Sequence, residues 1–174
     1  TAAISITNPL VSEESILRTS LRPGLLEAVS YNESHRRPGV RLFEIGHVYP
    51  PGEGELPNEF EALTVVLAGS EAPEAVSVWR EIASALGAGA RLDQSRVPLG
   101  LHAARSATWQ AGRDPLGAVG EVDPAVLDLF DVEERVVILE LDLDQIIDRE
   151  PKPTQWKLTS RQPSSDLDLA FVLG

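Results

Sequence analysis

The residue types able to do acid–base, nucleophilic or metal chemistry are present, but mostly not at spacings that such chemistry needs. The histidines are His35, His47 and His102, and no two stand four residues apart on one helical face. A zinc site would have to be assembled from distant segments. There is no cysteine, which removes thiolate ligands, a thiol nucleophile and disulfides together. No Gly is followed at the right spacing by Gly-Lys-Ser/Thr, and no Gly-x-Ser-x-Gly elbow occurs, so Gly52/Gly54 and Gly87/Gly89 read as turn glycines. Carboxylates come in pairs, Glu13/Glu14, Glu133/Glu134, Asp142/Asp144 and Asp166/Asp168. Any pair could supply an acid and a base, but each reads more simply as a solvated face or a helix cap. Asp142 and Asp144 lack a third nearby ligand for a cation. His47 reads as a half-buried strand residue and His35, beside Arg36 and Arg37, as solvated. One constellation could converge: His102 begins one strand and Glu121 ends another, with Arg105 between, and a small stand-alone enzyme could use the three. The plainer reading is a His102 that fixes a turn and an Arg105–Glu121 ion pair.

The elements that would position these residues follow from hydrophobic period and turn chemistry. Arg22-Pro23-Gly24 opens a helix running to about Asn32, with Pro23 suited to the first turn. Val40–Tyr49 alternates as a strand, and Phe43, Ile45 and Tyr49 make one apolar face, expected to point into the core. Pro50-Pro51-Gly52-Glu53-Gly54 ends it. Leu63–Ala68 is nearly continuously apolar and reads as a central strand. Pro73 opens a helix with Val76, Trp79, Ala83 and Leu86 on one stripe, and Gly87 follows its end. Arg105–Trp109 and Leu116–Val122 flank the turn Gly112-Arg113-Asp114-Pro115 as a hairpin or adjacent strands. Asp123-Pro124 starts a helix. Val136–Leu141 is a strand, and Asp142 caps a short helix through Ile147. Pro151, Pro153 and Pro163 mark a linker, and Asp166–Leu173 has strand composition. Mostly strands with irregularly spaced helices favour an α+β domain on an antiparallel sheet.

Composition narrows the classes. A chain of 174 residues, 43% hydrophobic and 24% charged, has room for one domain with a core. No apolar run reaches the ~18 residues of a membrane span. The chain opens Thr1-Ala2-Ala3 without a leader pattern and reads as an excerpt of a longer polypeptide. The formal net charge of −12 falls on residues 50–174, which opposes binding to phosphate backbones. An RNA-binding module would have to use the neutral first third, with Arg18, Arg22, Arg36, Arg37 and Arg41.

Three blocks carry a likeness. The first is Asn8-Pro9-Leu10 through Ser12-Glu13-Glu14, then Leu17-Arg18-Thr19-Ser20-Leu21 and Pro23-Gly24-Leu25-Leu26. The second is Arg41-Leu42-Phe43-Glu44-Ile45-Gly46-His47-Val48-Tyr49. The third is His102-Ala103-Ala104-Arg105-Ser106-Ala107, followed by Gly117–Pro124. Over about 150 residues their order and spacing resemble the catalytic-like domain of the bacterial phenylalanyl-tRNA synthetase beta subunit. The resemblance implies an α+β fold, the class II aminoacyl-tRNA synthetase-like antiparallel sheet flanked by helices. It implies that residues 1–150 form a catalytically degenerate domain. Residues 151–174 would then be the linker and first strand of a truncated ferredoxin-like anticodon-binding domain. By the same resemblance the chemistry belongs to an alpha subunit docked against this domain in a cytoplasmic heterotetramer with a second beta subunit. ATP and magnesium would be bound outside this chain, and tRNA would be contacted mainly by other domains.

The residues agree with degeneracy. A working class II site needs an Arg and a Glu two apart on one strand face, whereas Arg41 and Glu44 are three apart and so point to opposite faces. A glycine-rich strand running into a helix with an Arg is missing, since Gly112-Arg113 lies in a turn. Ala103 and Ala104 stand where the family has Pro-Gly, Asp123 where it commonly has His, and Leu167 where it commonly has Arg. No catalytic, cofactor-binding or metal residue is assigned. Arg18, Arg41, Glu44, His102, Arg105 and Glu121 are the family-motif positions, with structural or interface roles. An apolar docking patch is expected near the Pro23–Asn32 helix.

Overall fold

The computed structural model describes residues 4–9, 15–52, 57–88 and 91–148. The Glu13/Glu14 and Asp166/Asp168 pairs, part of the turn at 50–54, the linker and the strand at 166–173 lie outside the described residues.

Leu21 leads into α1 (Arg22–Ser34), which has Pro23 in its first turn and buries Leu25, Leu26 and Val29 along one side. Next come β1 (Arg41–Val48), β2 (Phe60–Ala68), α2 (Ala72–Ala85), β3 (Arg91–Asp93), β4 (Leu101–Ala111), β5 (Asp114–Val122), α3 (Pro124–Leu129), β6 (Val136–Asp142) and α4 (Leu143–Ile147). The two expected aspartate caps form: the Asp123 carboxylate accepts from Ala125 N–H, and that of Asp142 from Gln145 N–H. Gly87 follows α2 at φ 64°, the left-handed position that favours glycine. Within α2, Trp79 is buried, whereas Leu86, expected on the same stripe, lies past the helix end and is exposed; Ile82 packs in its stead.

The strands form one sheet in the order β1-β2-β6-β5-β4-β3, with every neighbour antiparallel. Helices cover both faces. Leu21, Leu25, Leu26 and Val29 from α1 and its approach, with Leu127 of α3, pack with Val66, Ile138, Ala118 and Val122. On the opposite face Ala75 and Trp79 of α2, with Ile146 of α4, pack with Leu67, Val137, Leu139, Val119 and Trp109. The near-continuous apolar run of β6 follows from this: Val136 and Ile138 serve one layer, Val137, Leu139 and Leu141 the other. No helix among the described residues is long and apolar enough to cross a membrane.

Strand β1 corrects the sequence reading. Its alternation is right and its buried face is reversed. Phe43 is 71% exposed and Ile45 51%. Register places them beside Val65 and Leu63 on the α2 face, but α2 packs chiefly over β5 and β6. It meets this edge at Ile82 and the Arg41–Glu74 pair, which leaves Phe43 and Ile45 mostly uncovered. The covered side of β1 is Leu42 and Val48, facing α1. His47 falls on the uncovered side and is exposed rather than half-buried. An apolar strip does exist, but it is Phe43, Ile45, Leu63, Val65 and Ile82 on the α2 face. The α1 helix turns its apolar residues inward. Phe43→Ala should therefore shift stability by less than about 1 kcal/mol, not the ~3–5 kcal/mol of a buried aromatic. A urea titration of the pair distinguishes these values.

Candidate functional site

A cavity of about 840 Å³ lies between the first half of α2, strand β3 and the β4–β5 hairpin. An irregularity in β4 shapes it. Leu101 pairs with Val122 and Ser106 with Gly120, so β4 advances five residues while β5 advances two. His102 fixes the resulting loop. Its Nδ1 accepts from Ala104 N–H at 3.1 Å, and its carbonyl accepts from Ser106 Oγ–H at 2.8 Å. The backbones close tightly at Gly120, where any Cβ would sit 2.5 Å from Ser106 Cα.

The displaced stretch carries Arg105 over the cavity floor of Ala107 and Val119. Arg105 Nε donates to Glu121 Oε2 at 2.5 Å, and Arg135 Nε stands 3.6 Å from the same oxygen. The Glu121 side chain is 4% exposed, so a buried carboxylate is held between two half-exposed guanidinium groups. Arg135 in turn donates to Glu71 at the start of α2, at 2.8 Å. Across the cavity, hydrogen bonds from Ser95 hold the Asp93 carboxyl below its ordinary range, aided by Arg91 and Arg96. His102 is not among the lining residues. The structure thus brings Arg105 and Glu121 together, keeps His102 in the bulge as a turn-fixing residue, and does not assemble a three-residue catalytic set.

The other family-motif positions meet elsewhere. Arg18 Nη1 donates to Glu44 at 2.6 Å and its Nε to the His47 carbonyl at 2.8 Å. Its guanidinium lies where a Cβ on Gly46 would be, so glycine in mid-strand makes room for it. Gly46→Ala should displace Arg18 from Glu44. Because that pair is largely exposed, the cost should stay below about 1 kcal/mol, which a thermal melt can check. Arg41 points the other way, to Glu74 of α2 at 3.0 Å. Arg41 and Glu44 thus lie on opposite faces, as their spacing requires.

Sequence reasoning missed Arg22 and Glu140. Arg22 Nη2 and Ser20 Oγ both donate to Glu140, and Arg22 Nη1 donates to the Leu99 carbonyl. The signal was a lone acid in the apolar run of β6. Of the five arginines that an RNA-binding surface would use, Arg18, Arg22 and Arg41 are therefore engaged by carboxylates. Among the described residues no group of three or more His, Asp or Glu could hold a metal ion.

Comparison with known proteins gives these contacts a context. The family described as "Phenylalanyl tRNA synthetase beta chain CLM domain" matches residues 1–143. The chain belongs to that family. It is 32% identical to the phenylalanine–tRNA ligase beta subunit of Dehalococcoides mccartyi, covering 98% of this chain and 22% of that protein. It is 31% identical to the beta subunit of Geobacter sulfurreducens, covering 99% and 23%. The chain thus spans between a fifth and a quarter of the length of these relatives. Its fold is similar to a pyrrolysyl-tRNA synthetase structure from Desulfitobacterium hafniense, with a TM-score of 0.59 and 20% identity over 76% of this chain and 49% of that one. Against the class II fold of this beta-chain domain, β6 is informative. As the residue pattern of Val136–Ile147 implies, this strand runs directly into a helix, and the sheet order sets it at the centre. That segment, Val136–Ile147, contains neither glycine nor arginine.

Proposed function

We infer that this domain is a non-catalytic part of the beta subunit of phenylalanine–tRNA ligase, and that it docks the catalytic alpha subunit. The observation that carries the reading is the state of Arg41 and Glu44. They project from opposite faces of β1, and each is already paired, with Glu74 and with Arg18. No shared pocket remains in which they could hold an ATP phosphate. The glycine-free β6–α4 junction supports the same reading, as does the close packing of Leu25, Leu26 and Val29 over the α1 face of the sheet. On this reading ATP and magnesium are bound by the alpha subunit. The assembly is a cytoplasmic heterotetramer containing a second beta subunit, and tRNA is contacted mainly by other domains.

The test has two arms. Calorimetry of this chain at millimolar ATP should show no saturable heat; a micromolar Kd, about −8 kcal/mol, overturns the degenerate reading. Co-expression of the intact beta subunit with its alpha partner should yield a stable complex that charges tRNA with phenylalanine. A beta subunit lacking this domain should fail to retain the alpha subunit. Retention of a fully active complex without the domain overturns the docking role.

A further inference from the structure

We propose that the cavity between α2 and the β4–β5 hairpin is a binding site for a small organic carboxylate with an apolar body, independent of subunit docking. Its volume of about 840 Å³ is in the range of small-molecule sites. Its walls are apolar over Val76, Leu92, Ala107 and Val119. Its charged groups are not balanced in hydrogen-bonding terms. Each lining carboxylate is engaged: Glu121 with Arg105 and Arg135, Glu71 with Arg135, Asp93 with Ser95 N–H. Donors are left over. Among the described residues, Arg105 spends Nε on Glu121 and makes no further hydrogen bond through Nη1 or Nη2, and Arg80 makes no hydrogen bond or ion pair.

Two cations with unused N–H groups therefore border an apolar floor. Arg80 stands four residues after Val76, so both project from the same side of α2. Arg105 is held in place by a buried partner, which leaves the outer edge of its guanidinium oriented. The terminal Nη1/Nη2 edge is the geometry that receives a carboxylate through two parallel hydrogen bonds. A ligand with its carboxylate on Arg105 and Arg80 would lay its apolar portion against Val76, Leu92 and Val119.

The test is a saturation-transfer NMR titration of the intact subunit with sodium hexanoate, with 1-hexanol and inorganic phosphate as comparators. Hexanoate should saturate, hexanol should bind at least about tenfold more weakly, and phosphate should not displace hexanoate. Arg80→Gln removes a free donor, and Ser77→Glu sets a negative charge at the rim; both positions are exposed and leave the Arg105–Glu121 pair intact. Each should weaken hexanoate about tenfold or more with an unchanged melting temperature. The proposal is overturned by an absent saturable signal, by hexanol binding as well as hexanoate, by effective phosphate competition, or by either substitution leaving the affinity unchanged.

Discussion

Trp109→Ala should leave the domain barely folded. Trp109 is fully buried on the α2 face of β4, where its ring meets Trp79 edge-on at 5.6 Å. It is the largest fully buried side chain among the described residues, and the edge-to-face contact with Trp79 adds to its burial. The neighbourhood cannot close over the lost ring. The cross-strand partner is Gly117, which has no side chain to offer, and the Glu140 carbonyl packs against it so closely that a Cβ there would collide. An unrelaxed cavity places the cost toward the top of the ~3–5 kcal/mol range, against a total stability of order 5–15 kcal/mol. For a chain of this size that is a fall in melting temperature of about 10 °C or more. Trp109→Phe should recover over half of the loss. A drop of less than about 1 kcal/mol in a urea titration would mean that α2 is not held by this contact.

Arg105→Ala should be the next most damaging change, although Arg105 is itself 43% exposed. Its damage lies in what it leaves behind. Glu121 would keep its buried carboxylate with only Arg135 nearby, at 3.6 Å. Orphaning a buried charge costs about 3–5 kcal/mol where no water can reach it. The cavity admits some solvent to this site, so about 2–3 kcal/mol is the expected loss. Removing the charge as well should restore much of it: Arg105→Met with Glu121→Leu should lie closer to wild type than Arg105→Ala alone. A double-mutant cycle measures the coupling. Strictly additive losses would show that the two groups do not depend on each other.

Element types were largely legible from residue pattern, because each was marked by local chemistry: Pro23 in the first turn of α1, Asp123 and Asp142 at helix starts, Gly87 after α2. What local pattern could not supply was the neighbour. The alternation in Arg41–Val48 defines two faces without saying which one is covered, and Phe43 was assigned inward on hydrophobicity alone. Only the sheet order shows that β1 is an edge strand, lying away from the β5 and β6 strands that α2 chiefly covers. The same gap hid the Arg22–Glu140 pair, whose members are separated by 118 residues. The Arg105–Glu121 pair was readable because sixteen residues of hairpin join its members. The bulge that aims Arg105 was not, since His102-Ala103-Ala104-Arg105 contains no turn residue and draws its shape from a histidine ring accepting a backbone N–H. Gly46 could have signalled the approach of Arg18, as a glycine inside a strand often marks a neighbour that needs the space.

The position of β6 has a consequence for how the chain reaches this shape. Among the described residues it is the last strand in sequence, and it sits in the middle of the sheet, with β2 on one side and β5 on the other. Until residues 136–142 arrive, β1–β2 and β3–β4–β5 are two separate ribbons with no shared ladder. Each has one edge waiting to be filled, and α1 and α2 can cover the separate ribbons only in part, since both helices also pack on β6 residues (Ile138 on the α1 side, Val137 and Leu139 on the α2 side). Synthesis from the N-terminus therefore produces nearly the whole sheet before any of it can consolidate, and consolidation then joins segments far apart in sequence, which is intrinsically slow. During that interval the open edges of β2 and β5 are the natural sites for pairing with the wrong strand or another molecule. Chains ending at Arg135 should show no cooperative melt, whereas extension by the next seven residues should restore one.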